Sequence, residues 1–103
     1  MAYKIIKTDA FQRDLDATIG YLVLSLENKP AAAALLDEIE KTYDGLERMP
    51  MMCEACQDPY LKERGYRKAV IRNYIMVYTV DEDTKTVSIM RFFHGRQDYA
   101  KLI

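Results

Sequence analysis

Hydrophobic positions in the first half of the chain recur with the period of an amphipathic helix. A short strand is predicted at Tyr3–Ile6, and Thr8 then provides a suitable helix N-cap. The stripe of the first predicted helix is Phe11, Leu15, Ile19, Leu22 and Leu26, and that of the second is Ala32, Leu35, Leu36, Ile39, Tyr43 and Leu46. Pro30 suits the first turn of the second helix, whose pattern ends near Met49. Because only about three residues separate the helices, they should form an antiparallel hairpin.

The second half of the chain changes to the pattern of strands. Residues 51–65 show no period and are predicted to be a loop. Three strands follow at Tyr66–Ile71, Tyr74–Val80 and Val87–His94. The middle one is a nearly continuous apolar run, which is typical of a central strand covered on both faces. Residues 72–73 and residues 81–85 are the connecting turns.

Alternation in the last strand would place Val87, Ile89, Arg91 and Phe93 on one face and Ser88, Met90, Phe92 and His94 on the other. Residues 97–103 are expected to form a short helix or a tail. The order of elements is therefore β-α-α-β-β-β. It predicts an α+β fold in which an antiparallel sheet packs on a long helical hairpin.

Length and composition are those of an ordinary small domain. With 103 residues, the chain should form a single domain at residues 1–103. No stretch approaches the roughly 20 apolar residues of a membrane span, and the first residues do not resemble a signal peptide. We therefore expect a cytoplasmic protein that makes no membrane contact. Its two cysteines, Cys53 and Cys56, should stay reduced.

Charge is distributed unevenly along the chain. The net charge is −1, which is not that of a typical nucleic-acid binder. Residues 1–61 carry six bases and eleven acids, whereas residues 62–103 carry nine bases and five acids. The second part could therefore meet an acidic partner, although a chance distribution of solvated charge explains the asymmetry equally well.

The segment that follows the last strand carries the residues best suited to chemistry. It holds the only histidine, His94, together with Arg96, Asp98 and Tyr99. Histidine moves protons near neutral pH, arginine binds phosphate and tyrosine stacks on bases or donates a proton. These groups would support metal-free RNA cleavage. Alternatively, they serve only local ion pairing and packing.

Two further sets of residues, one basic and one of cysteines, could bind a ligand or a metal. Arg67, Arg72, Arg91 and Arg96 would form a phosphate-binding or target-binding surface if they share one face. Otherwise they are ordinary solvated charges. Cys53 and Cys56 form a C-x-x-C pattern, but a structural zinc needs about four ligands and a redox motif usually begins a helix after a strand. We therefore expect free thiols, no bound metal and no cofactor.

Nearly the whole chain resembles toxins of the RelE/ParE superfamily. The resemblance is carried by the order of elements, by the strand pair at residues 66–71 and 73–81, and by the ending at residues 87–99. In that ending, His94-Gly95-Arg96-Gln97-Asp98 is similar to the H-G-R-x-D that follows a strand in the superfamily. The resemblance implies a growth-inhibiting, plasmid-stabilization type of toxin from a bacterial type II toxin–antitoxin module. A cognate antitoxin would wrap it with an extended or helical segment, and operator DNA would be contacted only through that antitoxin.

The superfamily has two branches with different targets. RelE-like members cleave mRNA on the ribosome, whereas ParE-like members poison DNA gyrase without cleaving RNA. RelE-like nucleases commonly carry an arginine after the aromatic residue that opens the central strand, but here Tyr74 is followed by Ile75. The long hairpin is also similar to ParE-like members, and the net charge is low for docking on ribosomal RNA. These features favour a gyrase inhibitor.

The alternative is a ribosome-dependent, metal-independent mRNA endoribonuclease. In that case Arg96 would stabilise phosphate charge, His94 would move a proton, and Tyr99 would stack on or position the substrate. A third possibility is a non-toxic, degenerate member that only binds or regulates.

Overall fold

The elements of the fold follow the predicted β-α-α-β-β-β order, which confirms the α+β class. A computed structural model describes residues 2–95 and residue 101. The helical elements are α1 (Asp9–Gly20), a π-helical turn (Tyr21–Ser25), α2 (Lys29–Arg48) and α3 (Pro59–Glu63). The strands are β1 (Lys4–Lys7), β2 (Arg67–Ile71), β3 (Tyr74–Asp81) and β4 (Thr86–His94). The expected helix or tail at residues 97–103 lies outside the described residues, apart from residue 101.

The four strands form one sheet in the order β1-β4-β3-β2. Strands β2, β3 and β4 are an antiparallel meander, as predicted. Strand β1 pairs with β4 in parallel, with Lys4 opposite Thr86 and Lys7 opposite Ile89. The sequence pattern does not reveal this pairing. Because of this parallel pairing, β4 lies between β1 and β3 in the sheet.

A side-chain cap precedes each of the two long helices of the hairpin. Phe11 N–H donates to the Thr8 side chain at 3.2 Å, which confirms Thr8 as the N-cap of α1. Asn28 caps α2 in the same way, through Ala31 N–H at 3.1 Å. Helix α2 ends at its C-cap Met49, as its stripe predicts. None of the helices within residues 2–95 is long and apolar enough to cross a membrane.

Both faces of the central strand β3 are covered. On the hairpin side, Met76 and Tyr78 pack into a large cluster with side chains of α1, α2 and β4. On the outer side, Val77 packs with Cys56, Leu61 and Phe93 in a smaller cluster. The prediction of a doubly covered central strand is therefore confirmed. We call the two sides the hairpin face and the outer face.

The first helix does not keep one stripe to its end. After Gly20 the helix widens into the π-helical turn, in which Leu26 N–H bonds to the carbonyl of Tyr21, five residues back. The extra residue rotates the following side chains about the helix axis. Leu26 is therefore 53% exposed, and its predicted place in the buried stripe is wrong.

The predicted loop at residues 51–65 contains the short helix α3. Asp58 caps it by accepting hydrogen bonds from the N–H groups of Tyr60 and Leu61, at 3.0 and 3.1 Å. Pro59 occupies its first turn and Leu61 is fully buried. A helix of five residues is too short to show a hydrophobic period, which is why the prediction of a loop was wrong there.

A β-bulge in β4 reverses the predicted alternation. The register pairs Arg91 with Val77 but Ile89 with Tyr78, so that Met90 is an extra residue. The hairpin-face cluster accordingly takes Val87, Ile89 and Phe92, and the outer cluster takes Phe93. The predicted grouping of faces is wrong beyond Met90, because one inserted residue exchanges the two sides of a strand.

The buried hydroxyl of Tyr78 provides a test of how the end of α2 is held. It donates to the carbonyl oxygen of buried Pro50 at 3.0 Å, and burial raises the pKa of Tyr78 well above its ordinary value. We expect Tyr78→Phe to lower the free energy of unfolding by about 1–3 kcal/mol, because that carbonyl loses its partner. Tyr21→Phe, at a ring that is 57% exposed, should change it by less than about 0.5 kcal/mol. Urea denaturation measures both, and equal effects would contradict the prediction.

Candidate functional site

The edge of β4 is completed by helix α1 where β1 ends. Strand β1 covers β4 only as far as Ile89, so the backbone groups beyond it need other partners. The Ile89 carbonyl accepts from the N–H of Thr8 at 3.2 Å and from its hydroxyl at 2.8 Å, and that hydroxyl lies 3.1 Å from the Met90 carbonyl. Since Thr8 is also the N-cap of α1, one residue joins the start of the helix to the bulge.

Asp14 of α1 holds the next part of the same edge. Its carboxylate accepts from Phe92 N–H at 3.0 Å, and from Arg91 through Nε at 2.7 Å and Nη2 at 3.2 Å. The Asp14 and Arg91 side chains are only 19% and 28% exposed. The hydrogen bonds to Asp14 raise the pKa of Arg91, against the opposing effect of burial. Arg91 therefore stays charged and is held in a fixed orientation.

Aromatic rings surround the end of β4. Tyr74 stacks on Phe92 with the centroids 5.2 Å apart, and it meets the His94 ring edge-on at 5.5 Å. His94 itself is exposed. Next to it is a cavity of about 490 Å³ lined by Asp14, Ala17, Thr18, Tyr21, Tyr74, Arg91, Phe92, Phe93 and His94. The cavity thus combines a fixed cation, several ring faces and the histidine.

The predicted contact arginines within the described residues do not share one face. Arg67 lies opposite Tyr78 and Arg91 lies opposite Val77. Tyr78 packs on the hairpin face and Val77 packs on the outer face. The side chains of Arg67 and Arg91 therefore project from opposite faces of the sheet.

Each of these arginines also has a partner within the chain. Arg67 Nη1 donates to the Cys53 carbonyl at 2.7 Å. Arg72, in the turn between β2 and β3, donates from Nε to Glu38 of α2 at 2.7 Å. The positive charges of Arg67, Arg72 and Arg91 are therefore located at three separate sites and do not converge on one site.

Two of the predicted site residues, Arg96 and Tyr99, lie outside the described residues, so their roles stay predictions. His94 is described and lies beside the cavity. Sequence reasoning missed the role of Asp14, which is one of many acids in the first half of the chain. It identified Thr8 only as a helix cap, because no local signal shows that the same hydroxyl reaches a strand 81 residues away.

The C-x-x-C cysteines lie on different sides of the sheet. Cys53 packs against the hairpin-face cluster, whereas Cys56 is fully buried in the outer cluster. Neither cysteine forms a disulfide. Within residues 2–95 and residue 101, no group of three or more His, Cys, Asp or Glu side chains is placed to hold a metal ion.

Comparison with protein families gives one match that spans most of the chain. The profile described as "ParE toxin of type II toxin-antitoxin system, parDE" matches residues 5–99. The search against curated proteins gave no match.

Solved structures with the same fold come from both branches of the superfamily. A RelBE toxin–antitoxin complex of Mycobacterium tuberculosis matches with a TM-score of 0.63 and 23% identity, over 91% of this chain and 99% of that one. The chromosomal ParDE system of P. aeruginosa matches with a TM-score of 0.69 and 18% identity, over 90% and 96%. A mutant of E. coli RelE in the free state matches with a TM-score of 0.62 and 15% identity, over 99% and 93%. At these identities the likeness shows a shared fold.

Replacing Asp14 tests whether it holds the end of β4. We expect Asp14→Asn to lower the free energy of unfolding by about 1–3 kcal/mol, because the charge-assisted bonds to Arg91 are weakened in a half-buried position. Asp16→Asn, at an exposed position two residues further along α1, should change it by less than about 0.5 kcal/mol. Thermal or urea unfolding measures both variants. If Arg91→Gln costs as much in the Asp14→Asn background as in the wild type, the two side chains are not coupled and the interpretation fails.

Proposed function

The chain belongs to the ParE toxin family of type II toxin–antitoxin systems, and from that premise we propose that it is a single-domain toxin that inhibits DNA gyrase. We further propose that a cognate antitoxin neutralises it. This is supported by the matched RelBE and ParDE structures, which are a toxin–antitoxin complex and a toxin–antitoxin system. Growth inhibition and a cytoplasmic location follow from this proposal.

The observation that carries the gyrase proposal is the dispersal of the basic residues. Metal-free cleavage of RNA needs several donors that converge on one phosphate as its charge develops. Among the described residues, Arg67, Arg72 and Arg91 lie in different places, and each already binds an oxygen of this chain. Such an arrangement suits contacts with a protein surface better than the stabilisation of one reacting phosphate.

A ribosome-dependent endoribonuclease is the second candidate, and one observation favours it. His94 meets Tyr74 edge-on beside the cavity that also contains Arg91, and a base could stack on such rings. In that mechanism His94 would move the proton, Arg96 would stabilise phosphate charge, and Tyr99 would stack on or position the substrate. A gyrase inhibitor would use the same segment only for contacts.

Induced expression in a bacterial host separates the two candidates. We expect growth arrest with intact mRNA and an induced DNA damage response, because a poisoned gyrase leaves broken DNA. Growth curves, mapping of RNA 5′ ends and a damage-response reporter measure these at early times. His94→Ala should reduce toxicity no more than Arg13→Ala, a control at an exposed base on α1.

Two outcomes would contradict the gyrase proposal. New mRNA ends inside coding frames, together with a selective loss of toxicity in folded His94→Ala protein, would establish the nuclease. Soluble protein that does not arrest growth would instead indicate a degenerate member that only binds or regulates. Circular dichroism of each variant checks that the protein remains folded.

A further inference from the structure

Residues 49–56 join the end of α2 to the outer edge of β2, and we call them the connecting segment. Met49 N–H donates to the Gly45 carbonyl at 2.8 Å, where the helix ends. Met52 N–H then donates to the Met49 carbonyl at 3.0 Å, which closes a turn. The first half of the segment is therefore a tight turn placed against the last part of α2.

The second half of the connecting segment pairs with β2. Cys56 N–H donates to the Tyr66 carbonyl at 3.0 Å, and Lys68 N–H donates to the Glu54 carbonyl at 3.2 Å. An isolated antiparallel bridge lies between these two bonds. This part of the segment therefore covers the first half of the β2 edge as a short additional strand.

Side chains of the sheet also bind the backbone of the connecting segment. Arg67 Nη1 donates to the Cys53 carbonyl at 2.7 Å, and the Tyr78 hydroxyl donates to the Pro50 carbonyl at 3.0 Å. Because its bond is to the backbone of the segment, the Arg67 guanidinium is held in place only as long as the segment keeps its position.

The thioether of Met52 packs directly on Gly45 of α2. A Cβ atom at position 45 would lie 2.9 Å from Met52 Cε and 3.1 Å from Met52 Sδ. Glycine destabilises the interior of a helix relative to alanine, and at this position it makes room for the sulfur and its methyl group. The contact with Gly45 therefore attaches the middle of the connecting segment to the helix.

Solvent reaches Met52 in spite of this contact. The residue is 45% exposed, whereas Met76 in the core is 0% exposed. Its neighbours Met49 and Met51 are 63% and 43% exposed. Oxidants convert accessible methionines to the sulfoxide. Met52 thus combines an accessible sulfur with a packing contact that depends on that sulfur.

Oxidation of Met52 by hydrogen peroxide needs no other reactant. The sulfur attacks one peroxide oxygen with a lone pair, an S–O bond forms and the O–O bond breaks. The second oxygen leaves as hydroxide and takes up the proton of the transferred oxygen, which gives water. The sulfur loses two electrons and the peroxide gains them, so the products are the sulfoxide and one water molecule.

The sulfoxide does not fit the site that the thioether occupies. It is polar and carries an additional oxygen on the sulfur. On the side of Gly45 there is no room even for a Cβ atom, so an oxygen on that side collides with the helix. An oxygen on the other side is solvated and draws the side chain towards water. In either case the contact between the segment and α2 is lost.

We propose that Met52 is an oxidation site, and that its conversion to the sulfoxide releases the connecting segment from α2 and uncovers the first half of the β2 edge together with Arg67. Reduction of the sulfoxide by methionine sulfoxide reductases reverses the change. The proposal does not depend on the proposed function, because it concerns only contacts within this chain.

Peptide mass spectrometry of the wild-type protein treated with hydrogen peroxide locates the modification. We expect Met52 to be oxidised at least roughly tenfold faster than Met76, because susceptibility follows exposure to solvent. The buried Met76 is the internal control. If Met52 reacts as slowly as Met76, it is not an oxidation site and the proposal is wrong.

Amide hydrogen exchange measures whether the oxidation releases the segment. After peroxide treatment we expect the amides of Cys56 and Lys68 to exchange roughly fivefold faster or more, because their hydrogen bonds are those that join the segment to β2. The Thr8 amide, which donates to Ile89 near the opposite edge of the sheet, should not change. Treatment with the reductases for both sulfoxide epimers should restore the original rates.

Two matched variants assign the effect to Met52. Leucine keeps an apolar side chain of similar volume but cannot form a sulfoxide. Met52→Leu should therefore abolish the faster exchange, whereas Met49→Leu, at a more exposed methionine, should retain it. Cys53 is present in both variants, so oxidation of its thiol would affect them equally. If Met52→Leu fails to fold, recovery of the wild-type rates after the reductase treatment decides.

Three results of the exchange experiment would overturn the proposal. Faster exchange that persists in folded Met52→Leu protein, or after complete repair of the sulfoxide, would assign the effect to another group. Complete oxidation of Met52 without a change at Cys56 and Lys68 would show that the sulfoxide leaves the segment in place. Equally faster exchange at Thr8 would indicate general unfolding.

Discussion

The short length of β1 is the constraint on which the rest of the structure depends. Strand β4 has nine residues but β1 has only four, so the edge of β4 beyond Ile89 would expose backbone groups. Thr8, the N-cap of α1, binds the carbonyls of Ile89 and Met90, and Asp14 of α1 binds the N–H of Phe92. These bonds fix the hairpin against the sheet. They also accommodate the bulge at Met90, which turns Phe92 into the core.

The two arginine–carboxylate ion pairs of the sheet, at Arg91 and at Arg72, differ in how far water reaches them. Arg91 is held by a carboxylate that also binds the backbone of β4, and both groups are largely shielded from water. Separating this pair would leave a partly buried charge without its partner, which is strongly unfavourable. The pair between Arg72 and Glu38 is much more exposed, and a partner can replace either member at little cost. The ion pair at β4 is therefore fixed, whereas the ion pair at the turn after β2 can exchange its partners.

Local signals were enough to predict most elements, but not how distant elements meet. The cap at Thr8 acts over a few residues and was predicted correctly. The stripe of α2 was predicted correctly except at Leu36, which is 40% exposed. Asp58-Pro59 is a similar local signal for α3, although five residues are too few to show a period. The bulge and the parallel partner of β1 arise from pairing between remote strands. The bond between Asp14 and Arg91 spans 77 residues, and neither residue carries a local sign of it.

A single turn connects the end of β2 with the point where the chain leaves β4. Residues 72–73 connect β2 to β3, and the Asn73 carbonyl accepts from Gly95 N–H at 2.6 Å, where the chain leaves β4. A side chain at position 95 would lie only 3.0 Å from that carbonyl, so glycine permits this close approach. The turn thus contacts α2 through Arg72, which binds Glu38, and the chain just after His94 through Asn73. Because the same two residues bind both α2 and the backbone just after His94, a displacement of this turn would be transmitted to both.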